Sequence, residues 1–310
     1  MICPGERNIM SKLPLIVTTN WLAERLDDSK LRLLDATTFL KLPSSGYYDV
    51  WSGREAYEKA HIPGAVFADL LTELSDSSAE DIFTVPPREQ FVEKISELGV
   101  GDEDTYVVIY DQGAEVGSTI IASDWASRLA WQLRYEGYDN VAVLDGGFPK
   151  WLEEGRPVTS ELGFYPKANF TGVRNPELFV TKEEVLKAID DEDVIIINSL
   201  NEATYNGEVN TYGRVGHIPG SVNVFFGLHS DSETKELYDD EKLRETFQKV
   251  GALDPNKKVI TYCGGGIAAT WNALILNKLG QNKVAVYDGS MTEWAKDLSL
   301  PLETKEKNNI

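Results

Sequence analysis

Short apolar runs of strand length alternate along this chain with longer segments whose apolar residues recur at helical spacing. In the second half the apolar runs are residues 194–197, 258–262 and 284–287, and the helical segments are residues 179–189, 243–250 and 268–279. Thr181 is placed to cap the first of these helices, and Gly280 to end the last. Strands that alternate with helices predict parallel βαβ units, in which helices cover both faces of a sheet. The pattern therefore predicts the α/β fold class.

The two halves of the sequence repeat each other. The first matching pair is His61-Ile62-Pro63-Gly64 and His217-Ile218-Pro219-Gly220, which are 156 residues apart. Residues 108–111 match residues 260–263 at an offset of 152, and residues 141–146 match residues 284–289 at an offset of 143. Three blocks in the same order, at a spacing far too long for a solenoid, indicate a duplicated domain. We predict one domain over residues 11–158 and another over 176–306. Prolines and glycines mark residues 159–175 as the linker.

Composition narrows the classes of protein that this sequence can encode. The chain has 310 residues, 42% of them hydrophobic, and 30 basic against 50 acidic residues leave a net charge of −20. That charge repels phosphate backbones and anionic lipid surfaces, so we predict neither a nucleic-acid nor a membrane partner. The longest apolar runs fall well short of the ~18 residues of a membrane helix, and residues 1–11 lack the apolar block of a signal peptide. We therefore expect a cytoplasmic protein.

Cysteine and histidine usage argues against a disulfide framework and against a metal site. The two cysteines, Cys3 and Cys263, do not form a CxxC pair, and the three histidines are scattered along the chain. We predict no metal and no organic cofactor. Cys3 is expected to be dispensable, which leaves Cys263 as the cysteine whose surroundings matter.

Cys263 stands where an α/β fold commonly places its chemistry. A strand is predicted to end just before it, and the residues that lead into the next helix are Gly264, Gly265, Gly266, Ile267 and Ala268. Such a loop turns backbone N–H groups and the positive end of a helix dipole toward one point, which favours a thiolate. The alternative is a buried, inert cysteine beside a glycine turn. A phosphate-binding loop is disfavoured because no Lys-Ser or Lys-Thr pair follows the glycines.

Together these motifs resemble the tandem rhodanese-type sulfurtransferases, over residues 17–304. The resemblance rests on residues 33–36, both His-Ile-Pro-Gly blocks, residues 143–148 with Trp151, and the loop that begins at Cys263. It implies a silent first domain and a second domain whose cysteine cycles through a persulfide, with the active loop over residues 263–268. The repeat agrees independently, because Asp111 occupies the position of Cys263 in the first half. We expect the first domain to wall one side of the cleft above the cysteine.

The resemblance predicts transfer of a sulfane sulfur from 3-mercaptopyruvate or thiosulfate to a thiol or cyanide, through a persulfide on Cys263. A non-catalytic rhodanese-like sulfur carrier or binding module is the alternative. Phosphatases of the same fold place an arginine six residues after the cysteine, where this sequence has Ala269. That class is therefore disfavoured.

The donor is predicted from charge. Thiosulfate-using members of the family tend to carry basic residues after the cysteine, and many mercaptopyruvate-using members carry a hydroxyl residue two positions on. Gly264 and Gly265 supply neither. Arg214 is the best candidate to hold an anion, and one arginine suits a single carboxylate. We therefore favour 3-mercaptopyruvate as the donor, with Arg214 as its ligand.

The other residues singled out by the repeat are predicted to be structural. His61 and His217 open the two Pro-Gly turns, and Trp151 and Trp294 are expected to anchor the cores. The aspartates that precede glycine at two strand ends, Asp145 and Asp288, are expected to stabilise their own turns.

Overall fold

The computed structural model describes residues 13–41, 49–102 and 104–305. Its strands are β1 (Ile16–Val17), β2 (Leu31–Asp35), β3 (Thr38–Lys41), β4 (Asp49–Ser52), β5 (Val66–Phe67), β6 (Tyr106–Tyr110), β7 (Val141–Leu144), β8 (Phe179–Val180), β9 (Val194–Asn198), β10 (Val222–Asn223), β11 (Lys258–Tyr262) and β12 (Val284–Tyr287). Its helices are α1 (Thr19–Ala23), α2 (Arg54–Lys59), α3 (Arg88–Glu97), α4 (Asp124–Tyr135), α5 (Gly147–Glu153), α6 (Lys182–Ala188), α7 (Glu202–Tyr205), α8 (Asp240–Gln248), α9 (Ala268–Lys278) and α10 (Ser290–Trp294). Among these helices, none is long and apolar enough to cross a membrane.

The strands form two five-stranded sheets with one topology. The first sheet has the order β1-β7-β6-β2-β5 and the second β8-β12-β11-β9-β10, and every neighbouring pair within them is parallel. Helices flank both sheets, and an antiparallel pair, β3 with β4, accompanies the first. The prediction of a duplicated α/β domain is therefore confirmed.

Most predicted elements of the second half form where local sequence places them. Thr181 and Glu184 make a reciprocal capping box at the start of α6, and Gly280 adopts a φ of +95° just beyond α9. The helix predicted from residue 179 is wrong in its first turn, because Phe179 and Val180 form the edge strand β8 against β12. Two residues are too few to show the alternation that distinguishes a strand from a helix.

The segment predicted as the linker, residues 159–175, contains no helix or strand and lies along the first domain. Thr159 pairs with the backbone of His61, and the hydroxyl of Tyr165 accepts a hydrogen bond from the N–H of Leu33. Phe170 packs edge-on against Phe91 of α3. The position of the domain boundary itself stays a prediction.

Both repeated tryptophans anchor a core, as predicted. Trp151 and Trp294 have no exposed surface. Their indole N–H groups donate to the carbonyl oxygens of Pro157 at 2.8 Å and of Pro301 at 2.9 Å. Each tryptophan thus fastens the chain segment that leaves its domain.

The repeated histidines are structural, as predicted. The rings of His61 and His217 stack on Tyr57 and Tyr205, with centroid distances of 3.9 and 3.8 Å. Each Nδ1 lies within hydrogen-bond distance of the carbonyl oxygen of the same tyrosine. Neither histidine lines the cleft described below.

The two domains meet through α4 and α9, which pack side by side. One apolar core continues across this contact and includes Trp125 of α4 and Trp271 of α9. The hydroxyls of Ser127 and Thr270 hydrogen-bond across it at 2.8 Å. Because these two residues hold equivalent places in the repeat, the interface relates the domains by an approximate two-fold axis.

The repeated aspartates join the domains, so their predicted role in local turns is incomplete. The carboxylate of Asp145 accepts from the backbone N–H of Leu237 in the second domain at 3.0 Å. Conversely, Asp288 accepts from the N–H of Val85 in the first domain at 3.0 Å. Leu237 follows Val85 by 152 residues, which is one of the repeat offsets, so the exchange is reciprocal.

Candidate active site

Cys263 follows β11, the central strand of the second sheet, at its carboxyl end. Its side chain is buried, and its backbone N–H donates to Oγ of Ser290 at 3.0 Å. The N–H of Met291 donates to the carbonyl oxygen of Cys263 at 3.0 Å. Ser290 has a φ of +49°, a left-handed conformation that its side chain supports by donating to the carbonyl of Tyr287. The turn after β12 therefore fixes the backbone of the cysteine.

The three glycines after Cys263 differ in what they require. A Cβ at Gly264 would collide with the hydroxyl of Tyr212. Gly266 has a φ of +77°, and a Cβ there would lie 2.7 Å from the carbonyl oxygen of Asp288. At Gly265 the nearest atom to a Cβ would be 3.8 Å away, on Phe83. The backbone thus requires glycine at 266, a side chain at 264 would displace Tyr212, and position 265 has room for a side chain.

The first domain carries Asp111 at the position of Cys263, at the start of a longer loop. Asp111 follows β6 as Cys263 follows β11. Its carboxyl oxygens accept hydrogen bonds from the N–H of Gly113 at 3.0 Å and of Ala126, in the first turn of α4, at 2.9 Å. In the second domain the N-cap of α9, Ile267, provides no side-chain cap. The N–H of Thr270 donates to the carbonyl of Ile267, which leaves the N–H groups of Ala268 and Ala269 at the start of α9 for an anion carried by Cys263.

Burial raises the pKa of Asp111 to about 7, because loss of water outweighs its hydrogen bonds. The unfolded chain loses this proton near pH 4 while the folded chain keeps it, so stability falls as pH rises from 4 to 7. Asp111→Asn has no carboxyl to titrate, so its stability should not show this fall. We expect the unfolding free energy of the variant, relative to that of the wild type, to rise by up to about 4 kcal/mol between pH 4 and pH 8. Urea denaturation at each pH measures it. A stability difference that is constant with pH would contradict the assignment.

A cleft of about 130 Å³ opens above Cys263 between the two domains. The first domain contributes Leu40, Phe83, Ala114, Glu115, Ile120, Asp124 and Trp125, and the second contributes Leu200, Asn201, Thr204, Thr211, Tyr212, Phe225, Phe226, Cys263, Gly264, Gly265, Ile267 and Ala268. Of the predicted loop residues, Gly266 is not part of the lining, and its carbonyl points into the domain interface instead. A mostly apolar pocket at a domain interface with one nucleophile is the usual form of a small-molecule site.

The side chains that line the cleft include acidic groups, where a site for an anionic donor was expected to include a cation. Its described lining includes two carboxyl side chains, Glu115 and Asp124, and no lysine, arginine or histidine. Within the described ranges, no three His, Cys, Asp or Glu side chains are grouped as a metal ion would need. An anionic donor must therefore be held here by neutral hydrogen-bond donors.

Arg214 does not reach the cleft, contrary to the sequence prediction. Its Nη1 and Nη2 atoms donate to the carbonyl oxygens of Asp297 and Leu300, both at 2.9 Å. Two carbonyls in one turn match the two arms of a guanidinium and hold it there. Arg214 thus fastens the segment after α10.

The arginine that does contact the cysteine loop is Arg128, which the sequence analysis missed. It belongs to α4 of the first domain and is almost completely buried. Its Nη1 lies 2.6 Å from Oδ1 of Asp288 and donates to the carbonyl of Gly266 at 3.1 Å, and its Nη2 donates to the carbonyl of Phe83. The signal in the sequence is a charge at position 128 that lies three residues from a tryptophan on either side, Trp125 and Trp131. An arginine of the silent domain therefore holds the loop of the other domain.

Fold and site define a class: two-domain α/β proteins in which a cysteine at a strand end lies under an interdomain cleft. Within that class, the model of the rhodanese-like domain matches the chain twice, over residues 18–154 and 181–297. The chain belongs to the rhodanese-like domain family.

Relatives with established names cover almost the whole chain. Thiosulfate sulfurtransferase of Rattus norvegicus is 35% identical over 298 residues, which is 94% of each protein. The 3-mercaptopyruvate sulfurtransferase of Escherichia coli (strain K12) is 32% identical over 291 residues, 93% of this chain and 97% of that protein. The crystal structure of SseA from Escherichia coli has a TM-score of 0.74 at 31% identity, covering 89% of this chain and 98% of SseA. The predicted tandem sulfurtransferase is confirmed, and the donor is left open, because both kinds of relative are similarly close.

Proposed function

We propose that the protein takes a sulfane sulfur onto Cys263 and passes it from the resulting persulfide to a thiol or to cyanide. The observation that carries the proposal is the place of Cys263, at the carboxyl end of β11, just before α9 and under the interdomain cleft. Backbone N–H groups of this loop and of the start of α9 would stabilise a thiolate before transfer and a persulfide anion after it. Residues 264–268 would form the cradle for that sulfur.

The reaction has two displacements. The thiolate of Cys263 attacks the transferable sulfur, whose bond to carbon in 3-mercaptopyruvate or to sulfur in thiosulfate breaks. Pyruvate or sulfite leaves, and the sulfur stays on the cysteine. An acceptor thiolate or cyanide then attacks the outer sulfur, and the electron pair of the broken S–S bond returns to Cys263 as thiolate. Because Cys263 is buried beneath a mostly apolar cleft, its persulfide is shielded between the two steps.

Of the two donors, 3-mercaptopyruvate suits this cleft better. Thiosulfate carries two negative charges, and the described lining offers no cation to balance them. The single carboxylate of 3-mercaptopyruvate can be held by neutral donors such as Asn201, Thr204 and Thr211. The donor preference predicted from sequence is therefore kept, without the arginine ligand on which it first relied.

Kinetics with each donor and cyanide test the proposal, with thiocyanate as the measured product. We expect a higher kcat/KM with 3-mercaptopyruvate than with thiosulfate. A wild type that prefers thiosulfate would contradict the donor assignment. If neither donor yields thiocyanate, the non-catalytic sulfur carrier or binding module becomes the better description.

Position 265 allows the charge argument to be tested directly. We expect Gly265→Lys to raise kcat/KM for thiosulfate about tenfold or more, because it places a cation beside the cysteine where a side chain has room. Gly265→Gln is the control, since it has similar length and no charge. Equal effects of lysine and glutamine would show that charge does not limit the use of thiosulfate.

A cysteine that cycles through a thiolate suits a reducing compartment, and we propose the cytoplasm as the location. The net charge of −20 repels the phosphates of nucleic acids, so we propose no nucleic-acid partner. Small-molecule donors and acceptors remain the proposed partners.

A further inference from the structure

The silent domain places a carboxyl group in the cleft that holds Cys263. Asp124 is the first residue of α4, lines this cleft and is 4% exposed. Its Oδ1 accepts a hydrogen bond from the N–H of Trp125 at 3.1 Å. Cys263 lines the same cleft from the second domain. A donor bound at Cys263 therefore occupies the cleft that the carboxyl-bearing Asp124 also lines.

The surroundings of Asp124 favour the protonated form of its carboxyl. Burial raises the pKa of Asp124 well above its ordinary value, and the carboxyls of Asp111 and Glu115 raise it further. The nearest cation along α4, Arg128, is paired with Asp288 and faces the interface. Across the cleft the titratable groups of the described lining are Tyr212 and Cys263. A thiolate on Cys263 would again favour the protonated acid. A buried carboxyl in these surroundings, lining the cleft, is suited to the role of a proton donor.

The two donors differ in their need for a proton. When the C–S bond of 3-mercaptopyruvate breaks, its electron pair stays on the carbon as the enolate of pyruvate, which must be protonated before it leaves. When the S–S bond of thiosulfate breaks, the pair stays on sulfite, a stable anion that needs no proton in this step. A proton donor beside the cysteine therefore accelerates one reaction and not the other.

We propose that Asp124 is the general acid for 3-mercaptopyruvate, an inference that rests on the proposed function. Its proton goes to the methylene carbon as the C–S bond breaks, which gives pyruvate, a hydropersulfide on Cys263 and the Asp124 carboxylate. The hydropersulfide, a stronger acid than a thiol, then returns its proton to Asp124. The net reaction converts thiolate and donor to persulfide anion and pyruvate, so atoms and charge balance.

The test compares Asp124→Asn with the wild type on both donors. Asparagine keeps the shape and removes the proton. We expect kcat/KM with 3-mercaptopyruvate to fall about a hundredfold, and kcat/KM with thiosulfate to stay within about threefold. Asp35→Asn is the matched control, because it removes another buried carboxyl of the same domain that does not line the cleft. We expect this control to leave both reactions unchanged.

The pH profile gives a readout that a structural role would not move. With 3-mercaptopyruvate, the rate of the wild type should fall on the alkaline side as Asp124 loses its proton, and Asp124→Asn should lack that fall. Equal losses with both donors, no loss with either, or a wild type that uses only thiosulfate would each overturn the assignment of Asp124. Failure of the proposed function looks different, because the wild type would then transfer sulfur from neither donor.

Discussion

Cys263→Ser is expected to lower sulfur transfer by at least about a thousandfold with every donor, because a serine hydroxyl is a far weaker nucleophile at neutral pH and forms no persulfide. The side chain is buried and serine is close to it in size. The fold should therefore survive, which circular dichroism and thermal unfolding check. Thiocyanate formation measures the activity.

Cys3→Ser is the control for this substitution. Cys3 lies outside the described residues, and the prediction that it is dispensable comes from the sequence. We expect Cys3→Ser to retain wild-type turnover. Substantial activity in Cys263→Ser would mean that another group carries the sulfur.

Arg128→Met is the second substitution with a large expected effect, and it should lower both the stability and the activity of the protein. Arg128→Met leaves the carboxylate of Asp288 buried without its cation, which costs about 3–5 kcal/mol of unfolding free energy. It also removes the donor to the carbonyl of Gly266 in the cysteine loop. We therefore expect kcat to fall by about tenfold or more at temperatures where the variant is fully folded. Urea denaturation and steady-state kinetics measure the two effects.

Two further variants separate these effects. Arg128→Met combined with Asp288→Asn removes the unpaired charge, so stability should recover in part while kcat stays low. Arg134→Met removes another arginine of α4, whose guanidinium donates to the carbonyl of Val141 within the first domain. It should leave kcat unchanged. If Arg128→Met is as active as Arg134→Met, Arg128 does not position the loop.

The sequence predicted the features that depend on residues close together along the chain. The strand over residues 258–262, the helix that starts at Ala268 and the glycine loop between them are each encoded within a few residues, and they form as expected. The repeat then identified Asp111 as the counterpart of Cys263. A cysteine between a strand end and a helix start can be recognised in this way without any knowledge of the tertiary contacts.

What the sequence could not predict depends on contacts between distant segments. Arg214 was the cation nearest to the second His-Ile-Pro-Gly block, yet its guanidinium is held by carbonyls more than 80 residues away. Arg128 and Asp124 precede Cys263 by well over 100 residues and reach its loop and cleft only because α4 packs on α9. The interdomain roles of Asp145 and Asp288 have the same cause. Spacing along one element carries no information about such contacts.

Whether Cys263 carries the transferred sulfur is tested most directly by the intact mass of the protein after incubation with 3-mercaptopyruvate. The wild type should gain the mass of one sulfur atom, peptide mapping should locate it on Cys263, and cyanide should remove it as thiocyanate. Cys263→Ser treated in the same way should gain nothing. A wild type that turns over donor without gaining sulfur, or a sulfur found on Cys263→Ser, would contradict the account.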